Sequence, residues 1–215
     1  MRNQQSGFTL VEIAIVLVII GLLLGGVLKG QELINSAKVK NMANDFRTVP
    51  IFIYGYQDKF KRLPGDDDGA NDSRFSGYKK ATASGQTQKN GVIEGLWNSS
   101  DVTSENVLFW QHVRGVGLAS GSIDFTSSTT ASLPTNAEGG RIGIQMTPVP
   151  ITGMSGTYYV CSENISTKTA QQLDTTVDDG KPDSGTMRAQ ATYDSTKGGD
   201  STWPASGSMV VCMSM

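Results

Sequence analysis

The 215-residue chain is poor in the side chains from which most active sites are built. It has one histidine, His112, and two cysteines, Cys161 and Cys212. A multi-histidine metal centre, a four-cysteine zinc site and an iron–sulfur cluster each need more ligands than that. A Ser-His-Asp or Cys-His site would have to use His112, which sits in the aromatic, apolar stretch FWQHV. No nucleophile elbow, phosphate-binding loop or metal signature accompanies it, so an enzyme is not expected. Charge is scarce too: 18% of residues are charged, against about 25% in an average domain. The formal net charge of −2 lacks the basic excess of a bulk nucleic-acid binder. Gly, Ser and Thr fill nearly a third of the chain.

One abundance stands against these shortages. Residues 13–28, IAIVLVIIGLLLGGVL, contain no polar side chain. Extended back to Phe8 the run is broken only by Thr9 and Glu12, and as a helix it spans about 31 Å, the thickness of a bilayer's hydrocarbon core. A secretory signal peptide fits poorly, because the residues after the run, LKGQELINSAKVK, offer no small-x-small cleavage site. A plain membrane anchor explains the hydrophobicity but not Glu12. A carboxylate inside an apolar helix costs roughly 2.5–3.5 kcal/mol on insertion scales and usually has a partner. A position near the helix end, reaching toward headgroups, would also accommodate it.

The first twelve residues, MRNQQSGFTLVE, strongly resemble the N-terminus of a type IV prepilin. In that family a short basic leader ends in glycine, a prepilin peptidase cuts after it, and the new N-terminal residue is N-methylated. The resemblance implies a leader over residues 1–7, cleavage between Gly7 and Phe8, methylation of Phe8, and a glutamate at the fifth mature position, Glu12. Cleavage would expose an amino group one helical turn from Glu12. Among packed helices, Glu12 of one chain can then neutralise the N-terminal cation of a neighbour, since a buried charge is tolerable when paired. Such a pair would set register, as a polar residue does in a coiled-coil core.

Beyond residue 28 the sequence turns polar but stays periodic. Val39, Met42, Phe46, Val49, Ile53, Tyr56, Phe60 and Leu63 recur in steps of three and four, an apolar stripe that extends the helix to residue 63. Pro50 should cost one ladder bond and kink it, and Pro64-Gly65 should end it. Residues 29–62 carry seven basic and three acidic side chains, whereas residues 63–215 carry ten basic and sixteen acidic ones. A basic face just outside the membrane suits anionic lipid.

The remainder reads as a head over residues 64–215. Residues 64–100 and 119–136 are loop-like, rich in Gly, Asp, Ser and Thr. Residues 104–114 read as a short helix capped by Ser104. Strand-like runs follow at 141–146, 157–161, 187–193 and 209–215, short enough to suggest an antiparallel sheet. The expected fold class is α+β: a long N-terminal helix (8–63, with 8–28 transmembrane) packed on a C-terminal antiparallel sheet, which is the pilin-like roll that the resemblance implies. LPGD at 63–66, FWQH at 109–112 and DDGKPDSGTMRA at 178–189 are similar to segments of larger pilin-like proteins.

Outside a membrane, in an oxidising compartment, Cys161 and Cys212 should pair. That also matches the C-terminal disulfide common in type IV pilins; the alternative is two buried thiols. Two acidic clusters could hold a cation: Asp66, Asp67, Asp68, Asn71 and Asp72, and Asp174, Asp178, Asp179 and Asp183 around Gly180. Neither has EF-hand spacing, and Asp/Gly turns facing water are the simpler reading. No cofactor is expected, apart from a calcium ion that some secretion pseudopilins carry in a C-terminal loop. The resemblance implies a structural subunit of a type IV pilus-like filament, with a type II secretion pseudopilin or a minor pilin or adhesin as alternatives. The partners it implies are other pilin or pseudopilin subunits, the prepilin peptidase, an inner-membrane assembly platform and, before assembly, the lipid bilayer. The location it implies is the inner membrane of a bacterium with a periplasmic head, then a periplasmic or surface filament.

Overall fold

The computed structural model describes residues 9–69 and 74–215. Helix α1 runs Leu10–Phe60, α2 Glu105–Gly115 and α3 Thr167–Val177. The strands are β1 (Ile142–Gln145), β2 (Tyr159–Ser166), β3 (Met187–Gln190) and β4 (Ser208–Ser214), in one antiparallel sheet of order β1-β2-β4-β3. The chain is therefore α+β, with a long apolar N-terminal helix and a four-stranded C-terminal sheet.

It divides into two compact units between Lys38 and Val39. In the first, every described residue from Thr9 to Lys29 is exposed, the apolar run included. In the second, the stripe on α1 enters the core. Val39, Met42, Phe46, Val49, Ile53 and Tyr56 are buried, and all but Tyr56 share one hydrophobic cluster with α2 and with Val160, Met187, Met209 and Val211 of the sheet. Each such side chain contributes about 1.5–3 kcal/mol on removal from water.

Helix α1 continues through Pro50 and ends at Phe60, three residues earlier than the apolar period suggests. Lys61 takes a positive φ of 55° and donates its N–H to the Gln57 carbonyl, a left-handed turn that closes the helix. Leu63 is buried all the same, as part of the loop rather than of the helix.

Helix α2 follows Ser104 as expected, but the Ser104 side chain does not cap it and instead donates to the Asn106 side-chain oxygen at 2.5 Å; the helix is buried on every side, with each residue from Glu105 to Val113 inside. Helix α3 was not legible as a helix beforehand. Its Ala170 and Leu173 are buried, and the Glu138 carboxylate accepts the Ser166 N–H (2.6 Å) and the Thr169 hydroxyl (3.0 Å) at its N-terminal end. There it satisfies an otherwise free donor and complements the helix dipole. The loop at 119–136 is pinned by Phe125, which is fully buried and whose carbonyl accepts from the Lys79 ammonium at 2.8 Å.

Candidate functional site

The N-terminal segment comes first. Gly7 and Phe8 lie outside the described residues. Glu12 occupies the first turn of α1, where its carboxylate accepts both the Thr9 N–H and the Thr9 hydroxyl at 2.8 Å. The Thr9 hydroxyl oxygen in turn accepts the Glu12 N–H at 3.3 Å. This is a capping box, two free donors at a helix start satisfied reciprocally. The Thr-x-x-Glu spacing at residues 9–12 is its sequence signal. Glu12 thus has a local partner and remains exposed on a helix long and apolar enough to cross a membrane.

In the head, the first acidic cluster is not a turn facing water. Asp67 is fully buried; it accepts from Arg74 Nε at 2.9 Å, the Tyr56 hydroxyl at 3.0 Å and the Gly69 N–H at 3.0 Å. Burial raises its carboxyl pKa, but these donors outweigh burial and hold it below the usual range. Asp66 is buried as well and accepts the Asn90 and Gly91 N–H groups, so it organises the 87–91 turn. Asp68 pairs with Lys89 at 2.7 Å. Asn71 and Asp72 lie outside the described residues. These carboxylates serve the architecture of the 63–100 loop.

His112 belongs to the same construction. Its Nδ1 accepts the Gly65 N–H at 2.8 Å, and its Nε2, as the N–H tautomer, reaches the Lys79 carbonyl at 2.7 Å. Tyr78 stacks on the ring at 4.4 Å. Burial lowers its pKa to about 4, so the ring is neutral at pH 7 and both nitrogens are engaged by backbone. It offers no general base. Gly65 is required at its position: its φ is +93°, and a Cβ there would lie 2.4 Å from the Glu105 carbonyl oxygen.

The second acidic cluster is more open to a ligand. Carboxylate oxygens of Asp174, Asp178 and Asp179 lie within 4.8 Å of one another. Asp174, in the last turn of α3, is fully buried. One of its oxygens accepts the Gly180 N–H at 2.7 Å, and the other has no partner. Burial, with Asp179 and Asp178 nearby, pushes its pKa up to about 7. Asp178 accepts the Met187 N–H at 2.8 Å, and Asp179 accepts from Lys181 and Ser184. Asp183 is exposed and is not one of the three; it lines an open hollow of about 520 Å³ with Trp203.

Cys161 and Cys212 are joined by a disulfide with S–S 2.06 Å. They are direct partners in the β2–β4 register, under a smaller cluster of Trp97, Ile151, Met154 and Tyr159.

The chain thus combines an apolar helix that is exposed among the described residues with a head whose buried polar groups hold loops in place. The N-terminal match makes this more specific. Residues 2–28 match the family model for the prokaryotic N-terminal methylation motif, the signature of type IV pilins and pseudopilins. No curated protein and no solved structure matches the chain. The motif and the single long apolar helix fit membrane anchoring.

Proposed function

We propose that the chain is a structural subunit of a type IV pilus-like filament, not an enzyme. A prepilin peptidase cuts the leader after Gly7, and Phe8 becomes the methylated N-terminus. The processed chain waits in the inner membrane, its apolar helix in lipid and its head in the periplasm. An assembly platform then transfers it into a filament beside other pilin subunits. The observation that carries this reading is the methylation motif at residues 2–28 running directly into an apolar helix exposed from Thr9 to Lys29. Such a surface needs lipid or neighbouring helices around it. Mass spectrometry of the N-terminal peptide from membranes tests the reading. It should begin at N-methylated Phe8. A chain that still begins at Met1 beside an active prepilin peptidase would overturn the reading. Once a methylated Phe8 is found, recovery from sheared surface fibres would favour a pilin, and retention in the periplasm a secretion pseudopilin.

A second reading concerns calcium. The unpartnered oxygen of buried Asp174, facing Asp178 and Asp179, suits a hard cation that prefers oxygen ligands. These three residues would hold it, and its charge would offset the repulsion among them. Calcium should raise the melting temperature of the wild-type chain and leave Asp174→Asn unmoved. An unchanged wild-type melting temperature removes the idea.

A further inference from the structure

A half-open cleft of about 230 Å³ lies within the head, between α1, α2 and the start of β1. Its apolar wall is Val49, Phe52, Trp110 and Ile142, of which all but Phe52 are buried. The lining also holds two charged residues, Asp45 from α1 and Arg114 from α2, beside uncharged ones such as Asn44, Thr48 and Ser120. They do not pair with each other, and neither forms an ion pair among the described residues.

Arg114 is held in place without being neutralised. Its Nη1 donates to the Ser122 carbonyl at 3.1 Å and to the Ser132 carbonyl. Its Nε is buried with no acceptor, and its Nη2 has none among the described residues. Nε is closed off from solvent, so Nη2 is the donor left for a ligand, and one charged hydrogen bond from it can hold a carboxylate. Gly121 makes the posture possible. Its φ is +126°, and a Cβ there would lie 2.7 Å from Nε, so only a glycine lets the backbone rest on the guanidinium. Asp45 is half-buried and its carboxylate makes no hydrogen bond among the described residues; burial raises its pKa, and burial lowers that of Arg114. Charges partly withdrawn from water and left without a counter-charge are costly to the folded state.

We propose that this cleft binds a free amino acid with an apolar side chain. The carboxylate docks on Arg114, the ammonium faces Asp45, and the side chain lies against Trp110 and Phe52. Size supports one residue rather than a peptide: ligand pockets usually measure about 300–1,000 Å³, and this one is smaller. The opposite charges support a zwitterion over an anion or a cation alone, because only a zwitterion leaves neither group unpaired.

The test is calorimetric titration of the detergent-solubilised full chain with leucine and phenylalanine, beside isopentylamine and 4-methylpentanoate. The last two are leucine without its carboxylate and without its ammonium. Saturable binding of an amino acid is expected, with each single-charge analogue weaker by about tenfold or more, as expected for losing one charged hydrogen bond. Arg114→Gln should abolish the preference for leucine over isopentylamine. Gly121→Ala, which displaces Arg114 without removing it, should do the same. Asp45→Asn, at a helix surface where folding is not at stake, should abolish the preference for leucine over 4-methylpentanoate. Absence of saturable heat with both amino acids, or equal affinity for leucine and 4-methylpentanoate in the wild-type chain, overturns the proposal.

Discussion

At the scale of single residues, Glu12 carries two demands that truncation to alanine cannot separate. It caps α1 through Thr9, and it is the carboxylate that a neighbouring N-terminus would neutralise in a filament. Glu12→Ala removes both, with about 1 kcal/mol of helix stability lost from the cap. Glu12→Gln keeps an acceptor for the Thr9 N–H but no charge. The expected result is that leader processing survives in both variants while filaments are absent in both, counted by electron microscopy. Normal filament numbers in Glu12→Gln would assign the residue to the cap alone. His112 makes a different kind of claim. It ties α2 to Gly65 and to Lys79, so His112→Ala strands two buried backbone groups and opens a cavity. A loss of about 2–4 kcal/mol is expected. Denaturant unfolding followed by tryptophan fluorescence checks it, since Trp97, Trp110 and Trp203 all lie in the head.

At the scale of elements, the disulfide joins the two central strands of the sheet at registered positions. It closes a loop with a sequence separation of 51 residues. In the chain-entropy account that is worth roughly 4 kcal/mol. The double variant Cys161→Ser/Cys212→Ser should therefore melt well below the wild type, and reductant should shift the wild type but not the variant. Equal melting temperatures would show that packing around Trp97 and Tyr159 suffices without the bond. What the sequence revealed of these elements follows from the period and from punctuation. The apolar run, the stripe on α1 from Val39 to Tyr56 and the four strand-like runs were legible because repeating apolar positions report burial directly. Helix α3 was not, because Thr167, Thr169, Thr175 and Thr176 mask a short stripe of Ala170, Leu173 and part-buried Val177. The end of α1 was misplaced because buried Leu63 continues the apolar period past the Lys61 turn. The role of Asp66 and Asp67 was hidden for a further reason. Their partners, Asn90, Gly91, Arg74 and Tyr56, come from other segments, and no local spacing announces a long-range hydrogen bond. The charges of the cleft, Asp45 and Arg114, are likewise far apart in the chain and come to line one cleft only in the fold.

At the scale of the whole molecule, the buried ionisable groups of the head make its stability depend on pH, and the sign can be worked out. Burial pushes Glu105 and Asp174 up to about 7, whereas in the unfolded chain both titrate near 4. Between these limits the folded state holds protons that the unfolded state has released. Stability from these two groups is therefore complete below about pH 4 and declines as pH rises to about 7. His112 works the other way. Its folded pKa of about 4 lies below the ordinary 6.5, so its contribution is present above 6.5 and is lost as pH falls toward 4. Two carboxyls oppose one imidazole, and the melting temperature should be higher at pH 5.5 than at pH 8. Measured in chelator, so that no cation holds Asp174 ionised, the double variant Glu105→Gln/Asp174→Asn should flatten that dependence. Its gain over the wild type should be largest at pH 8, where the buried carboxylates are charged. Wild-type and variant profiles that run parallel from pH 5.5 to 8 would show that the two carboxyls titrate alike in both states, and the source of any pH dependence would then lie elsewhere in the head.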